Sequence, residues 1–220
     1  MKPTIGVCVN AESILHTQRA DLAYMKIVEQ AGGNPVLIAP IPDSDFRNLI
    51  SDMNALILIG DDHHFGDQPI AGAKKASPSE KGDPEFDLAM QAIKDTNLPV
   101  LGICRGCLLM NQVLGGSFQK KKKRYEDDGK VKQKITLTSG SKLAEIYRNE
   151  KGTIMSVPHE EIADLGADVI CSARAEDGII EAIEQTGDRF LIGVQWHPLE
   201  DVETHLPLIQ GLVAAAKRRL

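Results

Sequence analysis

Val100-Leu101-Gly102-Ile103-Cys104-Arg105-Gly106 is the stretch on which the fold turns. Its first residues are apolar or small without polar alternation, and they run into a corner at Cys104. Cys107–Leu114 continues as a helix that stops at Gly115-Gly116. A strand that is apolar on both sides belongs inside a parallel sheet covered on both faces, and a helix directly after it is the crossover such a sheet requires.

Working outward, Pro35–Ile38, Ala55–Ile59 and Pro99–Ile103 share that unalternated apolar character, and Thr4–Val9 reads as the first strand. Arg19–Ala31 places Leu22, Ala23, Met25, Ile27, Val28 and Ala31 at helical spacing before the stop at Gly32-Gly33. Pro84–Asp95 reads as a second helix, and Gly66–Asp83, rich in Gly, Pro, Ser and Lys, as a long surface loop. Beyond the corner, Lys134–Thr138, Thr153–Val157, Asp168–Ala173, Ile179–Glu184 and Phe190–Val194 follow at closer spacing, which predicts antiparallel additions to the sheet. The amphipathic stretch Val202–Leu220 closes the chain with Lys217-Arg218-Arg219, suited to the negative pole of a helix C-terminus. The expectation is an α/β fold in one domain spanning 1–220.

Composition narrows the function classes. Hydrophobic residues make up 42% and charged residues 25% of the 220, enough for a substantial core. Thirty-one acids against 25 bases leave a net charge of −6, which gives no general attraction to nucleic acid. No apolar run reaches the ~18 residues of a membrane span, and Met1-Lys2-Pro3-Thr4 enters a strand directly, so the expected compartment is the cytoplasm. Four cysteines are too few for a disulfide scaffold and are expected as thiols.

Chemistry singles out Cys104. Flanking glycines permit a strained nucleophile elbow, and a thiol at a helix N-terminus feels a positive potential that favours the thiolate. The backbone N–H of Arg105 is then placed to meet a developing oxyanion. Against this stand two other readings: a buried structural cysteine, and a redox pair with Cys107 through the C-x-x-C spacing. A cysteine hydrolase also needs a base, and Phe190–Val194 leads into Gln195-Trp196-His197-Pro198, which puts His197 just past a strand end.

Gly-Ile-Cys-Arg-Gly at 102–106, with Asn111 and Gly115-Gly116 after it and Gly193-Val194-Gln195-Trp196-His197-Pro198 later, resembles the class I glutamine amidotransferase-like superfamily. Pro3-Thr4-Ile5-Gly6, Tyr24, Ala31-Gly32-Gly33-Asn34-Pro35, Asp83-Pro84, Asp87, Ser156, His159 and Asp177-Gly178-Ile179-Ile180-Glu181-Ala182-Ile183 resemble its stand-alone gamma-glutamyl-gamma-aminobutyrate hydrolase branch. The resemblance implies a flavodoxin-like, mainly parallel sheet with flanking helices and added antiparallel strands. It also implies a Cys-His-Glu triad, a gamma-glutamyl thioester intermediate, and no metal or organic cofactor. The strand Leu56-Ile57-Leu58-Ile59 and its turn at Gly60-Asp61 then supply the second set of oxyanion donors through the backbone.

The pattern departs in places. The family follows the histidine with Pro and then Glu, whereas this chain reads His197-Pro198-Leu199-Glu200. Glu200 completes a triad if the chain bulges by one residue; otherwise the site is a dyad. Leu108 stands where the family has Gln, and Pro158-His159 where it has a His pair. With Ser156, which the branch shares, His159 and Leu108 are the substrate-binding positions that the resemblance implies. Lys120–Arg124 is followed at once by Glu126-Asp127-Asp128, so its charge nearly cancels and it reads as a solvated loop. His63-His64 has no third ligand at metal spacing.

The expected function is cysteine-dependent hydrolysis of gamma-glutamyl amides on a small-molecule substrate, with no nucleic-acid or membrane partner and a homodimer as the candidate assembly. The alternatives are a glutaminase subunit of an amidotransferase, and a catalytically impaired homologue that binds a gamma-glutamyl metabolite or a protein partner.

Overall fold

A computed structural model describes residues 1–9, 18–38, 46–60, 84–120, 131–156 and 160–220. The expectations for the loop 66–83, for His63-His64, for Asp61, for residues 121–124 of the basic run and for Pro158-His159 fall outside these residues.

In chain order the described elements are β1 (Thr4–Cys8), α1 (Gln18–Gln30), β2 (Asn34–Ile38), α2 (Arg47–Ser51), β3 (Ala55–Gly60), α3 (Pro84–Lys94), β4 (Val100–Cys104) and α4 (Arg105–Val113). They continue as β5 (Ser117–Lys120), β6 (Val131–Leu137), α5 (Lys142–Tyr147), β7 (Lys151–Ser156), β8 (Glu160–Asp164), β9 (Val169–Ala175), β10 (Ile180–Gln185) and β11 (Leu191–Val194). A 3₁₀ turn (Pro198–Asp201) and α6 (Val202–Lys217) complete the chain. One sheet runs β2-β1-β3-β4-β11-β10-β9-β6-β7, and β5 and β8 pair as a separate antiparallel ribbon.

The strands β2, β1, β3, β4 and β11 are mutually parallel. Their order is that of flavodoxin-like sheets, in which ligands bind beyond the carboxyl ends of the strands. The remaining four strands add antiparallel, with one correction to the expectation. β11, grouped by spacing with the antiparallel additions, lies parallel to β4 in the register Val194↔Ile103. It is buried throughout, and that unalternated apolar character marks a strand between two layers more reliably than its place in the chain.

Alternate residues of the central strands feed two apolar layers. Ile57, Leu101, Ile103, Ile192 and Val194 pack with Tyr24, Ile27 and Val28 of α1 and with Leu208, Leu212 and Val213 of α6. On the other face Leu56, Leu58, Val100 and Leu191 pack with Leu88 and Ala92 of α3 and with Cys107, Leu109 and Met110 of α4. Each fully buried Val, Leu, Ile or Met among them contributes roughly 1.5–3 kcal/mol. No helix among the described residues is long and apolar enough to cross a membrane.

Candidate active site

Cys104 has φ 54° and ψ −116°, backbone that an L-residue adopts only under strain of about 1–3 kcal/mol. The surrounding glycines make the corner feasible. A Cβ on Gly102 would sit 2.6 Å from the Gly106 carbonyl oxygen, and one on Gly193 would sit 2.8 Å from Cys107 Sγ. These small residues let the first turn of α4 lie directly on β4 and β11. Cys104 therefore ends the strand and starts the helix in one step, with the N–H of Arg105 as the helix's first donor.

Strand register brings three expected features to one edge. Gly60, the last residue of β3, is the partner of Cys104, and Val194 pairs with Ile103. The chain after Val194 thus leaves β11 beside the cysteine, carrying His197 three residues on. Cys104 is 8% exposed, and His197 is half-buried at the head of the 3₁₀ turn.

Tyr24 Oη lies 3.1 Å from His197 Nδ1. It is buried on the inner face of α1. Burial, then the charges of Cys104 and Glu200, push its phenol well above the ordinary range, so it stays protonated. In the sequence Tyr24 belongs to the resemblance alone, with no local sign of a role at the site. Glu200 is exposed on the 3₁₀ turn, where its N–H donates to the His197 carbonyl at 3.1 Å. Leu199 packs its alkyl chain against the α1–α6 layer.

The substrate-binding expectations separate. Ser156, at the end of β7, is buried and its hydroxyl donates to Glu181 Oε1 at 3.2 Å. Glu181 is itself fully buried at the start of β10. Leu108 is buried in the α3–α4 apolar layer. Asn111 is also buried. Its Nδ2 donates to the carbonyls of Ser117 (3.2 Å) and Asp164 (2.8 Å), and its Oδ1 accepts from Gly166 N–H (2.9 Å).

The C-x-x-C spacing does not make a disulfide here. None of the four cysteines is in a disulfide, and Cys107 is buried in the opposite layer from Cys104, with its thiol pushed far up by burial. Among the described residues, no group of three His, Cys, Asp or Glu is placed to hold a metal ion.

A parallel α/β sheet with a strained cysteine at one strand end and a histidine past the next places the chain in the class of flavodoxin-like α/β folds with a candidate site at the carboxyl ends of their strands. Residues 3–199 match the model of the Peptidase C26 family, and the chain belongs to that family. "Putative glutamine amidotransferase Rv2859c" of Mycobacterium tuberculosis is 31% identical over 207 residues, covering 88% of this chain and 66% of that protein. "Gamma-glutamyl-gamma-aminobutyrate hydrolase PuuD" of Escherichia coli K12 is 27% identical over 220 residues, covering 89% of this chain and 85% of that one. In fold, the chain superposes on a crystal structure titled "putative gmp synthase subunit a protein" from Thermoplasma acidophilum. The TM-score is 0.71 at 16% identity, over 100% of this chain and 96% of the other.

Proposed function

We propose that this chain hydrolyses gamma-glutamyl amides through a Cys104 thioester. The observation that carries the reading is the convergence of Gly60, Cys104 and His197 at the carboxyl ends of three adjacent parallel strands. In the reaction, the Cys104 thiolate attacks the gamma-carbonyl carbon, and the carbonyl electron pair moves onto oxygen. Backbone N–H groups at Arg105 and in the turn at Gly60-Asp61 receive that oxyanion, each donor contributing ~100–1000-fold in rate. The imidazolium of His197 gives its proton to the amine nitrogen as the C–N bond breaks, leaving a thioester. His197 then takes a proton from water, hydroxide adds to the thioester carbon, and the C–S bond breaks to release glutamate and restore the thiolate.

The relative named for gamma-glutamyl-gamma-aminobutyrate hydrolysis supports a gamma-glutamyl amine as substrate. Ser156, with His159 in the following segment, is the proposed contact to the glutamyl head. Leu108, at a position where the family carries Gln, is buried among the side chains of α3 and α4 and brings no amide to the substrate. Incubation with gamma-glutamyl-4-aminobutyrate and with glutamine, beside Cys104→Ala, tests the reading. Release of glutamate by the native chain and none by the variant is the expected result, and equal turnover by both overturns it. The relatives named as glutamine amidotransferases support a second reading, a glutaminase acting within a complex; glutaminase activity that arises only on adding a synthase partner would favour it.

A further inference from the structure

In the amidase chemistry, on which this inference rests, His197 Nε2 exchanges its proton with Cys104, the leaving amine and water. Nδ1 therefore carries a hydrogen throughout and needs an acceptor that fixes the ring. Where the family places Glu, this chain has Leu199, which turns into the apolar layer. The Nδ1 edge faces Tyr24 Oη at 3.1 Å. A ring nitrogen offers a single in-plane direction, so the group already standing there holds that edge.

We infer that Tyr24 is the positioning residue for His197, accepting the Nδ1–H bond at the edge where the two side chains meet and aiming Nε2 at Cys104. Tyr24 is well suited to this. It is 2% exposed and wedged with Ile27 and Val28 between α1 and the sheet, so its ring has little freedom to lose. Its hydroxyl keeps its proton because burial and the nearby charges of Cys104 and Glu200 oppose ionisation. A neutral phenol fixes the plane of an imidazole through one hydrogen bond.

Alkylation of Cys104 by iodoacetamide, followed from acid to alkaline pH, reads the ion pair without any substrate. Tyr24→Phe is expected to slow alkylation at neutral pH about tenfold and to raise its pH midpoint, as the loss of one hydrogen bond to a charged group does. The same variant lowers kcat on a gamma-glutamyl amide with KM unchanged. In the native protein, ¹⁵N spectra are expected to show neutral His197 as the Nδ1–H tautomer, a reading that stands even if Tyr24→Phe folds poorly.

An unchanged alkylation profile in Tyr24→Phe, when His197→Gln slows it, overturns the role of Tyr24 alone. A neutral Nε2–H tautomer does the same, and so does a raised KM with intact kcat. If His197→Gln leaves alkylation and turnover unaltered, the amidase reading fails and the Tyr24 role fails with it.

Discussion

Gly60 is the register partner of Cys104 across the β3–β4 ladder, so the end of one strand and the corner of the next lie side by side at the same depth. Cys104 reaches that position with φ 54°, and the strain belongs to its Cβ, not to the thiol. Two inactive variants should therefore differ in stability. Cys104→Gly relieves the backbone and, after the about 0.5–1 kcal/mol that glycine costs through the unfolded chain, is expected to exceed Cys104→Ala by up to about 2 kcal/mol in urea unfolding. A Cys104→Gly midpoint below that of Cys104→Ala would mean that the corner is not strained.

Cys107 gives the matching control. It is buried against Gly193 in the layer opposite Cys104, with its thiol held protonated by burial. Cys107→Ala is expected to keep the activity proposed for Cys104 while losing about 1 kcal/mol of stability, the usual scale for one small buried group. Loss of activity in a folded Cys107→Ala would revive a paired-thiol chemistry.

The elements legible in the sequence are those whose signal is local. The unalternated apolar strands, the corner at Cys104 and the strand leading to His197 are all written in contiguous residues. The helix after the corner begins at Arg105, two residues ahead of the expected Cys107, because positive φ at Cys104 turns the chain in one step. Four short elements, α2, α5, β5 and β8, went unread. β5 and β8 are polar ribbon strands held to each other, with Ser117 Oγ donating to Asp164 and Gln119 to Glu161, and they carry no apolar period. The contact of Tyr24 with His197 spans 173 residues and exists only once α1 packs on the sheet, so no local pattern announces it.

Asn111 was legible as a signature and not as a structural post. Its side chain satisfies three backbone groups, at Ser117, Asp164 and Gly166, where the β5–β8 ribbon meets the end of α4. Asn111→Leu keeps the volume and strands all three. The expected cost is about 3 kcal/mol, or about 6–12 °C in Tm for a chain of this size. A melting temperature within a degree or two of the native chain would show that the ribbon is held by other contacts.

His205 makes stability depend on pH. It is nearly buried on α6, its Nδ1 is 2.8 Å from Tyr147 Oη, and its ring lies 5.7 Å from that of Trp196, whose neighbour is His197. Burial lowers its pKa below the ordinary 6.5, and the charge of Asp201 only partly opposes this. The unfolded chain therefore binds a proton before the folded one does. Stability is intact above pH 6.5 and falls as pH drops through the window between 6.5 and the lower folded value. Asp201, held below its usual 3.8 by hydrogen bonds from Thr204, acts with the same sign but in a more acid window, so the two separate. Urea midpoints at neutral and mildly acid pH should converge in His205→Gln and diverge in the native protein. An equal acid-induced loss in both would assign the effect to another group.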